Sequence, residues 1–314
     1  MSDEDQGGTA PENTRPAPAR KTTARKVNGH TGYDPLAENN AEIAAGHHIP
    51  YTPPTSSHGW LVPASEVQEE NTDWAWRHRL ARGALHLIAG MAGTAKSTIA
   101  FNWAAAISSG GTFPGGAVAP RGKVAIWSGE DSYTTTIKPR LRAAGADMDN
   151  ILFLTGHSGA FDPSEDMEKL SQELKSHGEV VMLIVDPIVS ATKGDSHKGA
   201  EVRKSLQPLV DLLKARNIIG LGITHYTKGT AGRHVIERVT GSLAFAAIAR
   251  IIFATVQDQG QQTYRLVVGK SNIGPQGGGY AYSVEVKGLR VGGKVIQGTR
   301  IAWGESLNGD PTML

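Results

Sequence analysis

The pattern of apolar positions changes near Gly59, where short apolar runs begin to alternate with stretches of helical character. Residues 1–58 show almost no apolar periodicity, and such a segment cannot offset the conformational entropy that it would lose on ordering. We therefore predict a disordered tail over residues 1–58, an α/β domain over residues 59–290 and a C-terminal extension over residues 291–314.

The apolar runs have the length of strands and are apolar throughout, as expected of parallel strands buried on both faces of a sheet. We predict strands at residues 84–89, 123–128, 151–154, 180–185, 218–224, 250–255, 264–269 and 280–286, and helices at residues 96–108, 133–144, 164–175, 199–216 and 242–249. Their alternation predicts a mainly parallel sheet flanked by helices. The last strands follow one another through Gly-rich turns, which predicts an antiparallel edge.

The amino-acid composition excludes several classes of function for this chain. Hydrophobic residues make up 39% of the chain and charged residues 20%, as in ordinary globular proteins. The absence of cysteine excludes disulfides, Cys-ligated metals and thiol catalysis, and it suits the cytoplasm, where we expect the protein. The longest apolar stretch, residues 243–256, is broken by Arg250 and is shorter than the ~20 residues that a membrane span needs. We therefore expect no membrane partner. A net charge of +2 neither supports nor excludes a nucleic-acid partner.

The first candidate site is the turn between the first predicted strand and helix. Backbone N–H groups of such a turn, together with the helix dipole, bind phosphate. Lys96 is expected to reach the β- and γ-phosphates of ATP, and Ser97 to ligate Mg²⁺. Ala95 stands where the consensus G-x-x-x-x-G-K-[ST] has glycine, and its methyl group is costly only if the residue takes a positive φ. The expected binding residues are Gly90, Met91, Ala92, Gly93, Thr94, Ala95, Lys96, Ser97 and Thr98.

Two strands end in acidic residues that suit nucleotide hydrolysis. Glu130 follows the strand at residues 123–128, so its carboxylate is expected at the ligand-binding edge of the sheet, where it can orient and polarise an attacking water. Asp186 ends the apolar run at residues 180–185 and is expected to hold the Mg²⁺ shell. Either Asp131 or Ser132 can serve as N-cap of the helix that follows.

His225 follows the strand at residues 218–224 and is a candidate sensor of hydrolysis, because a neutral imidazole can donate to phosphate and accept from a neighbour. A lone histidine is more often structural, so both interpretations stay open. The stretch at residues 226–240 is basic and lacks an apolar face. It predicts a long loop that either contacts a phosphate backbone or is simply solvated.

The order of these motifs resembles that of the RecA-like ATPases, and most closely that of the RepA-like hexameric helicases, the AAA family ATPases of plasmids and phages. The similar segments are Gly90–Ser97, Gly129–Glu130, Leu183–Pro187 with Gly194–Asp195 beyond it, and Thr224–His225. The resemblance covers about residues 74–275. It implies a RecA-like P-loop NTPase core that hydrolyses MgATP at the subunit interfaces of a hexameric ring. It also implies single-stranded DNA as a partner, together with loading or replication proteins.

Two further segments resemble parts of these helicases that act on the nucleotide of a neighbouring subunit. Residues 241–250 are similar to the segment that carries an arginine finger, so the resemblance implies that Arg250 stabilises transition-state charge in trans. The sequence from Lys270 to Pro275 is similar to a Lys-x-Arg-x-Gly-Pro element, with Asn272 in place of the arginine, and implies that Lys270 assists. The alternative for Arg250 is a strand residue that snorkels to solvent.

Three functions are compatible with these residues. The first is a motor helicase, and the second is a DNA-binding recombinase or mediator in which ATP switches assembly without unwinding. The third, a P-loop kinase, is the weakest, because an arginine-rich lid is expected of a kinase and the chain has Glu130 and Asp186 instead.

Overall fold

A computed structural model describes residues 61–155, 161–192, 198–227, 235–239, 243–257 and 263–309. The predicted tail over residues 1–58, the segment Gly194–Asp195 and most of the basic residues of the predicted loop lie outside the described residues.

The described residues form eleven strands and six α-helices. The strands are β1 (Trp74–Trp76), β2 (Leu80–Ala81), β3 (Leu85–Gly90), β4 (Lys123–Ser128), β5 (Ile151–Phe153), β6 (Val180–Asp186), β7 (Ile219–His225), β8 (Ile251–Gln257), β9 (Tyr264–Ser271), β10 (Gly279–Val291) and β11 (Lys294–Leu307). The helices are α1 (Lys96–Ser109), α2 (Lys138–Ala144), α3 (Pro163–Ser176), α4 (Gly199–Arg216), α5 (Val235–Arg238) and α6 (Leu243–Ile248). A π-helical turn, Tyr133–Ile137, leads into α2.

Nine of the described strands form one sheet in the order β11-β10-β9-β8-β3-β7-β6-β4-β5. The six strands from β8 to β5 in this order are parallel, and β9, β10 and β11 extend the sheet in antiparallel pairs. The predicted fold class is therefore confirmed: a P-loop NTPase fold whose mainly parallel sheet has an antiparallel edge and flanking helices.

Helices cover both faces of the sheet, which explains why the central strands are apolar throughout. Every residue of β6 is buried. Met182 and Ile184 belong to the hydrophobic cluster that includes residues of α1 and α2, whereas Leu183 and Val185 belong to the cluster that includes residues of α3, α4 and α6. Neighbouring side chains of a strand point to opposite faces of the sheet, so the residues on both faces of β6 must be apolar here.

Two parts of this fold were not predicted. The small sheet of β1 and β2 packs Trp76 against Phe113, with parallel rings whose centroids are 4.9 Å apart. We also predicted no strand beyond Val286, but β10 continues to Val291 and β11 pairs with it along its length. The turn between them contains Gly292–Gly293, with positive φ at both residues. A Gly-Gly pair between two runs of β-forming residues is a hairpin signal, so β11 was recognisable from the sequence.

No helix in the described ranges combines the length and the apolar character that crossing a membrane requires.

Candidate functional site

The phosphate-binding turn begins where β3 meets β8. Gly90 is the last residue of β3 and pairs with Thr255 of β8. A Cβ atom on Gly90 would lie 1.7 Å from the Thr255 hydroxyl oxygen, so no larger residue fits at this position. The requirement for glycine here is steric and comes from a strand far away in the sequence.

Ala95, which replaces the second glycine of the consensus, is the N-cap of α1 and has φ 56° and ψ 31°. This is the left-handed region, in which an L-residue with a Cβ is destabilised by roughly 1–2 kcal/mol. Of the two conformations considered from the sequence, the structure has the costly one. The methyl group of Ala95 therefore strains the turn directly before Lys96.

Three hydrogen bonds hold the turn in this conformation. The Thr94 hydroxyl donates to the Met91 carbonyl at 2.9 Å and lies 2.7 Å from the Thr255 hydroxyl oxygen. The hydroxyl of Tyr282, on β10, donates to the Thr94 carbonyl at 2.7 Å. Thr255 and Tyr282 were not predicted as site residues, because no local signal links them to a turn more than 150 residues earlier.

Lys96 is almost fully buried beneath this turn. Its ammonium donates to the Met91 carbonyl at 2.8 Å and lies 3.3 Å from Nδ1 of His225. Burial lowers the pKa of Lys96 to about 8, although the carboxylates of Asp186 and Glu130 oppose this shift. Burial and the charge of Lys96 also lower the pKa of His225, so its imidazole is neutral at pH 7 and can accept from the ammonium.

Asp186 ends β6 and is 6% exposed. Burial raises its pKa to about 6; the neighbouring charge of Glu130 adds to this rise, while a hydrogen bond from the Ser97 side chain opposes it. A buried carboxylate next to a serine hydroxyl is a set of hard oxygen donors, and a divalent cation would offset the desolvation of the carboxylate. The two residues expected to hold Mg²⁺ are thus adjacent and fit such an ion.

Glu130 lies just beyond β4, with its side chain exposed. Its charge raises the pKa of Lys96, of Asp186 and of His225, so its carboxylate acts electrostatically on all three. The backbone N–H of Gly129 donates to the Asp186 carbonyl at 2.9 Å and holds the end of β4 beside the end of β6. Glu130 is therefore at the same sheet edge as the phosphate-binding turn.

The residues next to Glu130 have structural partners. Asp131 forms a salt bridge with Arg140 at 3.0 Å. Ser132 is the N-cap, because its side chain accepts from the backbone N–H of Thr135. Of the two capping residues considered from the sequence, the structure therefore uses Ser132.

Arg250 and Lys270 lie at the opposite end of the strands from the phosphate-binding turn. The backbone N–H of Arg250 donates to the carbonyl of Leu85, the first residue of β3, whereas the phosphate-binding turn follows the last residue of that strand. The Lys270 ammonium is buried and donates to the carbonyls of Ala246 and Ala249 at the end of α6. The structure does not bring either residue to the nucleotide site of its own chain, so action on a neighbour stays a prediction for both.

Part of the predicted basic loop is described. The Arg238 guanidinium lies over the ring of Tyr226, 4.1 Å from its centroid. Lys228, Arg233 and His234 lie outside the described residues.

A family model described as an AAA domain matches residues 52–231, a range that contains the turn from Gly90 to Thr98, Glu130, Asp186 and His225. The match ends before Arg250 and Lys270. A search of curated proteins finds no match.

Proposed function

This chain belongs to the AAA domain family of P-loop ATPases. We propose that it is an ATP-hydrolysing helicase of the RepA-like hexameric kind that acts on single-stranded DNA. The observation that carries the proposal is the meeting of Lys96, Ser97 and Asp186 at one sheet edge, within the electrostatic reach of Glu130. Binding, metal and water-activating chemistry are thereby supplied from the ends of three strands of one sheet, β3, β6 and β4.

The turn and α1 provide the groups that would bind the nucleotide. Backbone N–H groups at the start of α1 attract the phosphates of ATP, and the Lys96 ammonium donates to their oxygens. Ser97 and Asp186 would hold Mg²⁺, which when bound neutralises charge on the phosphate oxygens. Lys96, now bound to the Met91 carbonyl and His225, exchanges these partners for the phosphate.

Hydrolysis needs a base for the attacking water, and Glu130 is the group available for this role. It is exposed, so its carboxylate stays accessible to water, and it lies beyond β4 next to the metal-binding end of β6. His225 contacts Lys96 directly. Loss of the γ-phosphate would change the partners of Lys96, and His225 would pass that change to the segment after β7.

The helicase assignment rests on the order of motifs along the chain and on the basic segment after His225. In a ring, the basic residues of that segment would bind the phosphates of the strand being moved, and Arg250 would complete the site of the next subunit. The alternative function, an ATP-switched recombinase or mediator, uses the same nucleotide site but needs no unwinding.

The test measures ATP hydrolysis with and without single-stranded DNA, DNA unwinding, and molar mass by light scattering with nucleotide present. We expect stimulation by DNA, strand separation and a six-fold mass, with Lys96→Ala as the control that abolishes hydrolysis. Stimulation without unwinding would replace the helicase with the recombinase or mediator. A monomer that DNA does not stimulate would overturn both DNA functions, and hydrolysis that survives Lys96→Ala would overturn the nucleotide site.

A further inference from the structure

The last two strands form a ribbon that extends beyond the rest of the sheet. β10 pairs with β9 only from Gly279 to Tyr282, whereas it pairs with β11 as far as Val291. Among the described strands, β11 is the sole partner of β10 beyond Tyr282. We call residues 283–297 the hairpin arm.

The arm exposes apolar side chains to an unusual degree. Val286 is 66% exposed and Val295 is 71% exposed, and Val284 and Ile296 are also among the exposed large apolar residues of the described chain. A group of apolar side chains on one protruding element is typical of a surface that contacts a partner.

The arm also carries positive charge that no described residue neutralises. Lys287, Arg290 and Lys294 are exposed, and none of them forms a salt bridge within the described part of the chain. The one acidic residue of the arm, Glu285, is bound to Arg300 on the adjacent strand at 2.8 Å. Three cations of the arm therefore face solvent without an anion from the described part of the chain.

These charges decide which class of partner fits. Pairing of the arm with the arm of a second copy would bring three cations against three others, and like charges oppose such association. Lysines on exposed strands also discourage edge-to-edge pairing. A polyanion would bind these cations, and the release of its counterions would favour that binding.

We propose that the hairpin arm is a binding site for double-helical DNA and enters its major groove, separately from the single-stranded DNA of the proposed function. The major groove of B-form DNA, about 12 Å wide, admits a two-stranded β-ribbon, whereas that of A-form RNA is too narrow. By strand alternation and register, Val286, Arg290 and Val295 share one face of the ribbon. This face meets the base edges, and Lys287 and Lys294 reach the phosphates on either side.

The test is fluorescence anisotropy of a labelled DNA duplex of about 20 base pairs, two helical turns, titrated with the full chain at several salt concentrations. Replacing Lys287, Arg290 and Lys294 by alanine together should weaken duplex binding about tenfold or more and, since Lys287 and Lys294 are the phosphate contacts, reduce the slope of log affinity against log salt by about 2. ATP hydrolysis without DNA should be unchanged, since none of the three substituted residues belongs to the nucleotide site.

The matched control removes the same charge from exposed positions on α3 and α4, by Lys175→Ala, Arg203→Ala and Lys204→Ala. This triple variant should retain the affinity and salt slope of the unchanged chain. The proposal is overturned if the chain does not bind duplex DNA, or if both triple variants bind it equally well. It is also overturned if Val286→Ser with Val295→Ser lowers the molar mass without affecting duplex binding, because the arm would then join copies of the chain.

Discussion

At the residue scale, Lys96 and Asp186 are buried together and are both shifted toward their neutral forms. Burial raises the pKa of Asp186 from 3.8 to about 6. Between these values the folded chain binds a proton that the unfolded chain does not, so this residue's contribution to stability is lost as the pH rises through about 6. Above that pH the ionised carboxylate is buried at a cost that a bound cation would offset.

The raised pKa of Asp186 predicts pH-dependent metal binding. Since Mg²⁺ requires the ionised carboxylate, Mg²⁺-dependent nucleotide affinity should rise with pH up to about 6 and then level off, with close to a tenfold change per pH unit below that point. A fluorescent nucleotide titrated with and without Mg²⁺ measures this dependence. Asp186→Asn should weaken the Mg²⁺ effect and make it independent of pH. A Mg²⁺ effect that is constant between about pH 5 and 7 in the unchanged chain would refute the metal role of Asp186.

Substitution of Glu130 separates binding from turnover. Glu130→Gln removes the base but preserves the shape of the side chain, so hydrolysis should slow by a factor of about 10² to 10⁴ while nucleotide affinity changes little. Steady-state turnover and equilibrium binding of the nucleotide measure the two effects. Asp131→Asn is the control, because its carboxylate is bound to Arg140. If Glu130→Gln abolished binding, Glu130 would be structural.

Ala95 offers a prediction about strain. Glycine adopts the left-handed conformation without the Cβ penalty, whereas it also gives the unfolded chain more conformational entropy. The net effect of Ala95→Gly should be to stabilise the fold by about 1 kcal/mol. Chemical denaturation measures the change. Ala92→Gly, three residues earlier in the same turn, is a suitable control and should not stabilise the chain, since Ala92 is not among the residues with positive φ. A loss of stability in Ala95→Gly would contradict the strained conformation.

At the element scale, β11 is held against α2 by close backbone contact. A Cβ atom on Gly298 would lie 2.3 Å from the carbonyl oxygen of Pro139, and backbone cannot move aside easily. This contact joins the edge strand to the helix that follows Glu130. The glycine in β11 therefore allows the antiparallel extension to pack against a helix of the nucleotide-binding half of the sheet.

Gly298→Ala should consequently destabilise the chain by roughly 1–3 kcal/mol, the range for overpacked sites. Gly288→Ala on the same hairpin is a matched control, because its Cβ would lie 3.8 Å from Val295, an ordinary contact distance. Thermal or chemical denaturation of both variants provides the comparison. Equal stabilities would show that β11 does not pack on α2 as described.

At the scale of the whole molecule, Arg250 is exposed and distant from the nucleotide turn of its own chain. If it acts on a neighbour, Arg250→Ala and Lys96→Ala should each be inactive alone. Mixed oligomers should recover part of the activity, because some interfaces then combine an intact turn with an intact arginine. ATP turnover, measured at several mixing ratios of the two variants, tests for this recovery of activity. Absence of recovery in oligomers shown to be mixed would exclude a trans role.

Much of the fold follows from local patterns. The predictions for the parallel strands and for α1, α3 and α4 were correct to within a few residues. Buried strands and amphipathic helices each have a characteristic spacing of apolar residues, which can be seen in the sequence. The pair β1–β2 was missed because its strands are too short to show a period. β11 was missed although the Gly292–Gly293 pair marks a hairpin, because Lys294, Gln297 and other polar residues of an exposed ribbon interrupt the alternation that marks a strand.

The sequence by itself determined the fold class and predicted that Lys96, Ser97, Glu130 and Asp186 lie at strand ends, because each stands at a fixed place relative to a strand that its own neighbours define. Only the tertiary structure decided that β7 lies between β3 and β6, which brings His225 to Lys96. It also decided the hydrogen bonds of the turn to Tyr282 and Thr255, and the left-handed conformation of Ala95. Strand order and long-range contacts depend on how distant segments pack, and spacing along the chain does not record this.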